Sequence, residues 1–247
     1  MQKAMKKALF LLFVCGLLAA CGKKPQPKPP VQAISTFRNQ PGDSTVYGLA
    51  CDGSTDSILI LLPLSGTDPD TFDIINAFQE HRLMGRPHVG DHLAVILAND
   101  STHEVLTTIN MSTMTGQWSY MATPTLRHQA EASRAIPDSI LHRLLATREY
   151  SLRLRNGGMA LTFGNYQPRS NAMSPVDYPA LKRYTQWHLY NGRLVLSTDS
   201  ARNETPDTAT IVLLRRDSLV LRFSDHEQAY YRNKQKQQVT NNNPQNK

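Results

Sequence analysis

The sequence is poor in cysteine, lacks an apolar run long enough to span a membrane, and carries no local catalytic motif. Only three cysteines occur in 247 residues. The apolar run near the start, Ala8–Leu18, has eleven residues, which is too short for a stable transmembrane helix. Phosphate-binding loops, dinucleotide fingerprints, nucleophile elbows and Cys-x-x-Cys pairs are all missing from the sequence. We therefore do not expect an enzyme, and we expect no cofactor.

The basic charge is concentrated at the two ends of the chain. The formal net charge is +7, from 27 basic and 20 acidic residues. All the acidic residues lie within 31–231, where only 17 basic residues remain. The body is therefore slightly acidic and lacks the basic surface that duplex binding requires, so we expect no nucleic-acid partner.

The first residues have the organisation of a secretory signal. A basic segment, Met1–Lys7, precedes the apolar run, and Leu18-Ala19-Ala20-Cys21 follows it. An ordinary secretory signal that happens to hold a cysteine is one interpretation. The small residues before Cys21 also resemble the bacterial lipobox, which implies removal of residues 1–20 and acylation, including palmitoylation, of Cys21.

The segment after Cys21 is rich in proline and lysine, and polyproline II linkers have this composition. Residues 21–34 are thus predicted to tether a folded body to a membrane through the lipid. By resemblance to the usual sorting rule, Gly22 favours the outer membrane, and no acidic surface-export stretch follows. We expect a cell-envelope location on the periplasmic face of the outer membrane. Of the cysteines only Cys51 would remain, either as a reactive thiol or as a small buried side chain.

The body changes character near residue 120. Residues 31–120 hold three basic and ten acidic residues, whereas 121–231 hold 14 and ten. Alternating apolar segments separated by turn residues predict a small acidic β domain over 35–115, a barrel or half-barrel. Its predicted strands are Val46–Leu49, Ser57–Leu62, Phe72–Ala77, His92–Leu97 and Val105–Met111.

Residues 116–232 predict an eight-stranded up-and-down barrel. A short helix is expected in 136–148, and the segment 233–247 is polar enough to be disordered. Asn191-Gly192 between two apolar segments is a strong hairpin signal. The strands are expected at the Trp118 segment, 149–155, 159–164, 184–190, 193–197, 208–214, 218–223 and 228–232.

Gly116-Gln117-Trp118 at the start of the first of these strands resembles the lipocalin signature. The segments 184–197, 207–214 and 217–222 resemble the lipocalin-like lipoproteins of Bacteroides-type bacteria. This resemblance implies a lipocalin-like barrel over 116–232 and, by analogy, a binding function. In lipocalins a late-strand arginine packs on the first-strand tryptophan, and here both Arg222 and Arg232 are candidates. The predicted helix departs from the family, because it follows the first strand rather than the last.

Two interpretations of the barrel interior follow from its bulky apolar side chains. They line a pocket for a small apolar or amphipathic ligand, or they fill the barrel completely, as in a structural or protein-interaction module of the cell envelope. The sequence does not indicate a protein partner. The predicted lining residues for a ligand are Trp118, Tyr150, Met159, Phe163, Trp187, Leu196 and Phe223.

Two further patterns in the sequence concern metal ions and glycans. His88 and His92 have i, i+4 spacing, but Gly90 disfavours the helix that a metal site would need, so we expect no metal. Seven Asp-Ser or Asp-Thr sites resemble the short O-glycosylation motif of Bacteroides-type periplasmic proteins, although turns and caps favour the same pairs. Ser44 and Ser200 are the best candidates.

Overall fold

The structure, a computed structural model, describes residues 40–99, 103–127, 136–164, 175–179, 181–198 and 205–232. All of them belong to one compact unit, which is mainly β. Within these ranges no helix is long and apolar enough to cross a membrane. The signal segment, Cys21, the linker, Ser200 and the tail lie outside the described residues, so the expectations for them stay predictions.

The first sheet has six strands: β1 (Val46–Ala50), β2 (Ile58–Pro63), β3 (Asp70–Asp73), β4 (Leu83–Met84), β5 (His92–Leu97) and β6 (Val105–Asn110). Their order is β3-β2-β1-β5-β6-β4. All neighbours are antiparallel except β4, which runs parallel to β6. Leu59, Leu61 and Leu93 are fully buried and form one core of this sheet with Phe72 and Val95.

The strand predicted at Phe72–Ala77 is wrong beyond Asp73. Helix α1 (Ile75–Gln79) begins there instead. The Asp73 carboxylate accepts a hydrogen bond of 2.9 Å from the backbone N–H of Ile75, which turns the chain out of the sheet. This local hydrogen bond from the backbone to a side chain thus overrides the strand preference of the apolar residues.

A one-turn helix, α2 (Met111–Met114), connects the first sheet to the second. Asn110 caps it, because its side chain accepts from the backbone N–H of Thr113 at 2.8 Å. Met111 and Met114 are at most 1% exposed. The helix therefore directs the chain into the first barrel strand while both of its methionines enter the core.

The second sheet consists of β7 (Gly116–Ala122), β9 (Arg148–Leu154), β10 (Ala160–Phe163), β12 (Gln186–Tyr190), β13 (Arg193–Ser197), β14 (Asp207–Leu214), β15 (Ser218–Arg222) and β16 (Glu227–Tyr231). Each strand pairs antiparallel with its neighbour in the chain, and β16 returns to pair with β7. β10 and β12 are joined by one isolated bridge, Met159 to Gln186, rather than by a ladder. Two backbone hydrogen bonds close that seam, Trp187 N–H to Gly158 at 2.7 Å and Ala160 N–H to Thr185 at 3.0 Å. The prediction of an eight-stranded antiparallel barrel is confirmed, and the barrel is nearly closed.

Three short elements lie in the connections between the barrel strands. β8 (Thr125–Leu126) and β11 (Val176–Asp177) form a two-stranded ribbon. Helix α3 (Asp138–Leu144) lies inside the segment 136–148 that the apolar spacing predicted.

The six-stranded sheet and the barrel share one apolar core. Tyr47, Ala94 and Ile109 from the first sheet cluster with Trp118 and Leu189 of the barrel. The buried Asp43 strengthens the join, because its carboxylate accepts from the Asn191 N–H in the β12–β13 turn at 3.1 Å and from the Tyr47 hydroxyl at 3.0 Å. The first sheet therefore packs against the barrel end that carries the short turns.

Candidate functional site

The two ends of the barrel differ in their connections. Short turns at 155–159, 191–192 and 215–217 form one end. Much longer connections, 123–147, 164–185 and 198–206, leave the strands at the other end, which we call the mouth. Because long loops on a rigid scaffold commonly carry binding residues, the mouth is the first place to look for a site.

The barrel below the mouth is filled by its own side chains. The following inward-facing residues are at most 4% exposed: Trp118, Leu152, Leu154, Ala160, Trp187, Leu189, Leu194, Leu196, Ala209, Ile211, Leu214, Leu219 and Leu221. Both indole N–H groups donate to backbone carbonyls, Trp118 to Met114 at 2.8 Å and Trp187 to Arg155 at 2.9 Å. These described residues form a packed floor beneath the mouth.

Arg232 closes the short-turn end over Trp118. Its guanidinium carbon lies 4.2 Å from the centroid of the Trp118 ring, within cation–π range. Its Nη2 donates to the carbonyls of Thr113 and Thr115 at 2.5 and 3.0 Å. Arg222, the other candidate from the sequence, lines the mouth cavity instead and pairs with Glu227 at 2.9 Å.

The mouth holds a cavity of about 930 Å³. Three tyrosines line it, Tyr120, Tyr184 and Tyr230, together with Phe223. Tyr120 and Tyr230 meet edge to face with ring centroids 5.3 Å apart. Tyr150 stacks on the other side of Tyr120 at 5.4 Å. Such aromatic packing gives the cavity a rigid wall with an apolar body and polar tips.

A charged pair stands at the rim of this cavity. Lys182 donates to both carboxylate oxygens of Asp207, at 2.6 and 2.7 Å. The Tyr184 hydroxyl donates to the same carboxylate at 2.6 Å. Arg193 and His226 also line the cavity. The mouth thus combines an aromatic wall with one anchored carboxylate and several donors.

Burial keeps the tyrosine hydroxyls protonated. Burial is the main cause that raises the pKa of Tyr120 and the pKa of Tyr230. A neighbouring tyrosine adds to the rise in each case, Tyr150 for Tyr120 and Tyr120 for Tyr230. Burial also raises the pKa of Tyr184, and the Asp207 carboxylate adds to that effect. The Tyr150 hydroxyl is buried and has no hydrogen-bond partner among the residues that the structure describes. At neutral pH these groups are neutral phenols, which can both donate and accept hydrogen bonds.

The seven predicted lining residues separate into three groups. Phe223 lines the mouth cavity, and Tyr150 is fully buried behind Tyr120. Trp118, Trp187 and Leu196 lie in the packed floor at no more than 2% exposure. They face inward as expected, but they do not line the cavity.

The inward placement of Met159 and Phe163 is wrong. They are 46% and 42% exposed. In the observed register Ala160 pairs with Leu154 and Thr162 with Leu152, so the even-numbered residues of β10 face inward. A one-residue difference in register sends every side chain of a strand to the opposite face.

The outer position of Phe163 has a partner that the apolar pattern did not reveal. The Arg153 guanidinium carbon lies 5.0 Å from its ring centroid. A similar displacement occurs in β14, where an irregularity between Ile211 and Leu213 shifts the alternation and Leu214 is buried. The extra residue of a β-bulge causes this change of face.

The sequence reasoning missed most of the mouth. Tyr120 and Tyr230 alternate with Trp118 and Arg232 on their strands, so strict period-two reasoning would have found both. Lys182 and Asp207 offer no such signal, because Lys182 belongs to a long connection and Asp207 stands at the end of β14.

Of the two predicted glycosylation sites, the structure describes Ser44. The residue is exposed, and its hydroxyl donates to the Asn191 side chain at 3.1 Å. The preceding Asp43 is held in the buried join between the sheets. Modification of Ser44 stays a prediction, as does that of Ser200.

Cys51 is half-buried, with its thiol 3.7 Å from the Leu49 carbonyl. In the described part of the chain no three His, Cys, Asp or Glu side chains come together as a metal site would require.

Comparison with known proteins does not identify this chain. No family model, no curated protein and no solved structure matches it.

Proposed function

We propose that the protein is a lipid-anchored, lipocalin-like binding protein that holds a small amphipathic molecule in the mouth of its barrel. The observation that carries this proposal is the cavity of about 930 Å³ above a packed floor, walled by three neutral tyrosines. Its volume lies within the range of about 300–1,000 Å³ that small-molecule sites occupy.

The chemistry of the mouth restricts the ligand class. A flat apolar portion would stack on the wall formed by Tyr120 and Tyr230. A polar portion would reach the rim, where Tyr184, Lys182 and Asp207 offer donors and an acceptor. Because the floor is filled, a long, fully apolar chain has no deep channel to enter. An amphipathic molecule with a planar apolar part is therefore favoured over a purely apolar one.

The lipocalin-like part of the proposal is supported by two features. The eight strands follow one another around the barrel in chain order. Arg232 stacks on Trp118, which is the arrangement that the resemblance implies. The first sheet contributes to the same core as the barrel, because Tyr47 and Leu189 lie in one buried cluster, and we propose that it closes the short-turn end rather than forming a separate domain over 35–115.

The anchor, the periplasmic face of the outer membrane and the O-glycans complete the proposal. They rest on the lipobox-like Cys21, on Gly22 and on the Asp-Ser and Asp-Thr sites alone. The proposed partners are thus a membrane, through the lipid, and a small ligand.

A non-enzymatic interaction module is the second candidate, and the packed floor favours it. If the mouth binds nothing small, the barrel serves as a rigid support for surface loops. The two candidates differ in what a change inside the mouth does to small-molecule binding.

The test uses the full chain carrying Cys21→Ala, so that no detergent competes with the probe. Binding of N-phenyl-1-naphthylamine, an aromatic probe that fluoresces in apolar sites, is titrated. We expect saturable binding that Tyr230→Ala weakens about fivefold or more, because the probe's ring loses a stacking partner worth about 1 kcal/mol beyond its buried area. Tyr231→Ala is the matched control, since Tyr231 is the next residue on β16 and is 39% exposed.

Equal binding by the two variants would place the probe elsewhere and overturn the mouth as the site. No saturable binding by the folded chain, across this probe and related planar amphiphiles, would favour the interaction module.

A further inference from the structure

A second cavity lies at the opposite end of the barrel from the mouth. Its volume is about 1,070 Å³. It is a groove between the first sheet and the β14–β15 turn, bounded by α1, by α2 and by Arg232. We call it the junction groove.

One part of the junction groove is apolar. Phe78 on α1 lines it and is 47% exposed. Leu83, Met84 and Leu213 also line it and are half-buried, while Ile74 is buried beneath them. An exposed aromatic side chain beside partly covered aliphatic ones offers a contact surface for a hydrocarbon chain.

The other part of the groove is basic. Arg86, Arg215, Arg216 and Arg232 line it. Arg215 and Arg216 are exposed in the turn, and among the described residues neither side chain has a hydrogen bond or an ion pair. Their charge is therefore free to meet an anion.

The acidic groups that face the groove are already engaged. Asp56 lies 3.4 Å from Arg86. Asp91 accepts from the Asn110 side chain at 2.7 Å and from the His88 backbone N–H at 2.9 Å. After these pairings the groove keeps a surplus of positive charge.

The positive charge of the groove affects the pKa of Arg232, which lines it. Burial and then the charge of Arg216 lower the pKa of Arg232, against a smaller opposing effect of Asp217, and among the described residues its Nε is buried without an acceptor. A bound anion near the turn would offset the repulsion between the two guanidinium groups.

We propose that the junction groove binds a single-chain anionic amphiphile, with its head group on Arg215 and Arg216 and its hydrocarbon chain against Phe78 and Leu83. Carboxylate and phosphate head groups share the chemistry that paired arginines recognise. The inference needs neither the mouth nor the lipid anchor, because different residues at the other end of the barrel carry it.

The test titrates the full chain carrying Cys21→Ala with three probes of equal chain length below their micelle concentrations: laurate, dodecyl phosphate and dodecyltrimethylammonium. Calorimetry should show saturable binding of at least one anionic probe and none of the cation. The double variant Arg215→Gln/Arg216→Gln should weaken anion binding about tenfold or more, since hydrogen bonds to charged groups are the strong ones. Phe78→Ala should weaken it too, whichever anionic head group binds.

The matched control is Arg143→Gln/Arg155→Gln, which removes two exposed arginines that do not line the groove. It should leave the affinity unchanged, as should Tyr230→Ala in the mouth. Unfolding midpoints equal to that of the parent verify the fold of each variant. The inference is overturned if the cation binds as tightly as the anions, if the groove variant keeps full affinity, if Tyr230→Ala abolishes binding instead, or if no anionic probe binds. A preference for laurate over dodecyl phosphate, or the reverse, assigns the head group.

Discussion

Replacing Arg232 should destabilise the protein far more than replacing Arg222, although both are late-strand arginines. Arg232 stacks on Trp118 and donates to the carbonyls of Thr113 and Thr115. Arg222 makes one exposed ion pair with Glu227, and its side chain is 61% exposed. Comparing the two variants therefore contrasts the stability contribution of a partly buried arginine with that of an exposed one.

The magnitude follows from the contacts that each variant loses. A hydrogen bond from a charged group contributes about 1.5–3 kcal/mol, and a partly desolvated cation–π contact contributes about 1–2 kcal/mol. The contacts of Arg232 share one side chain, and water can satisfy the freed carbonyls in part. We therefore expect Arg232→Ala to lower the free energy of unfolding by about 3 kcal/mol, less than the sum. Arg222→Ala should cost no more than about 0.5 kcal/mol, as exposed ion pairs do.

The assay is urea unfolding followed by tryptophan fluorescence, since Trp118 and Trp187 both lie in the barrel floor. With a urea dependence of about 2–3 kcal/mol per molar, Arg232→Ala should lower the midpoint by about 1–1.5 M. Arg232→Lys should recover only part of the loss, because an ammonium lacks the planar fork that stacks and donates twice. Equal midpoints for the alanine variants of Arg232 and Arg222 would refute the reasoning, as would native emission of Trp118 unchanged by Arg232→Ala.

Three further predictions concern the mouth, the anchor and the glycans. The folded pKa values of Tyr120, Tyr184 and Tyr230 lie above the ordinary value of 10.0, so above about pH 10 the unfolded chain loses protons that the native state keeps, and stability should fall as pH rises. Phenolate absorbance should then appear together with unfolding, and reversible ionisation of all nine tyrosines near pH 10 in the folded state would contradict this. Cys21→Ala should move the protein out of the membrane fraction as a soluble or uncleaved species, and an unchanged pellet would refute the lipid anchor. Intact mass of the protein from its native host should exceed peptide plus acyl groups by a discrete amount that Ser44→Ala or Ser200→Ala removes, whereas a mass equal to peptide plus acyl groups would exclude glycosylation.

The sequence by itself determined the succession of barrel strands. Alternating apolar residues mark each strand, and the turn chemistry between strands is local. Asn191 and Gly192 illustrate this, because their φ angles of +47° and +75° are those that a tight hairpin demands and that few other residues adopt. Pairing of neighbours in the chain follows from such turns where the connection is short, at 155–159, 191–192 and 215–217.

The direction of the side chains was harder to predict from the sequence. Alternation divides a strand into two faces, but it does not say which face lies inside the barrel. In β10 the pairing of Ala160 with Leu154 decided that question against Met159 and Phe163. In β14 a single irregularity between Ile211 and Leu213 shifted the alternation, so that Leu214 is buried. Both outcomes depend on register with a neighbouring strand, which the sequence of one strand does not contain.

The functional surfaces were decided by tertiary structure alone. The mouth brings Lys182 next to Asp207 across 25 residues of sequence, and the closure at Trp118 depends on Arg232, which follows it by more than 100 residues. The junction groove exists because the first sheet packs on the short-turn end of the barrel. Periodicity is a property of neighbours in the chain, whereas a cavity is defined by distant residues whose positions are set only when the barrel closes and the two sheets share a core.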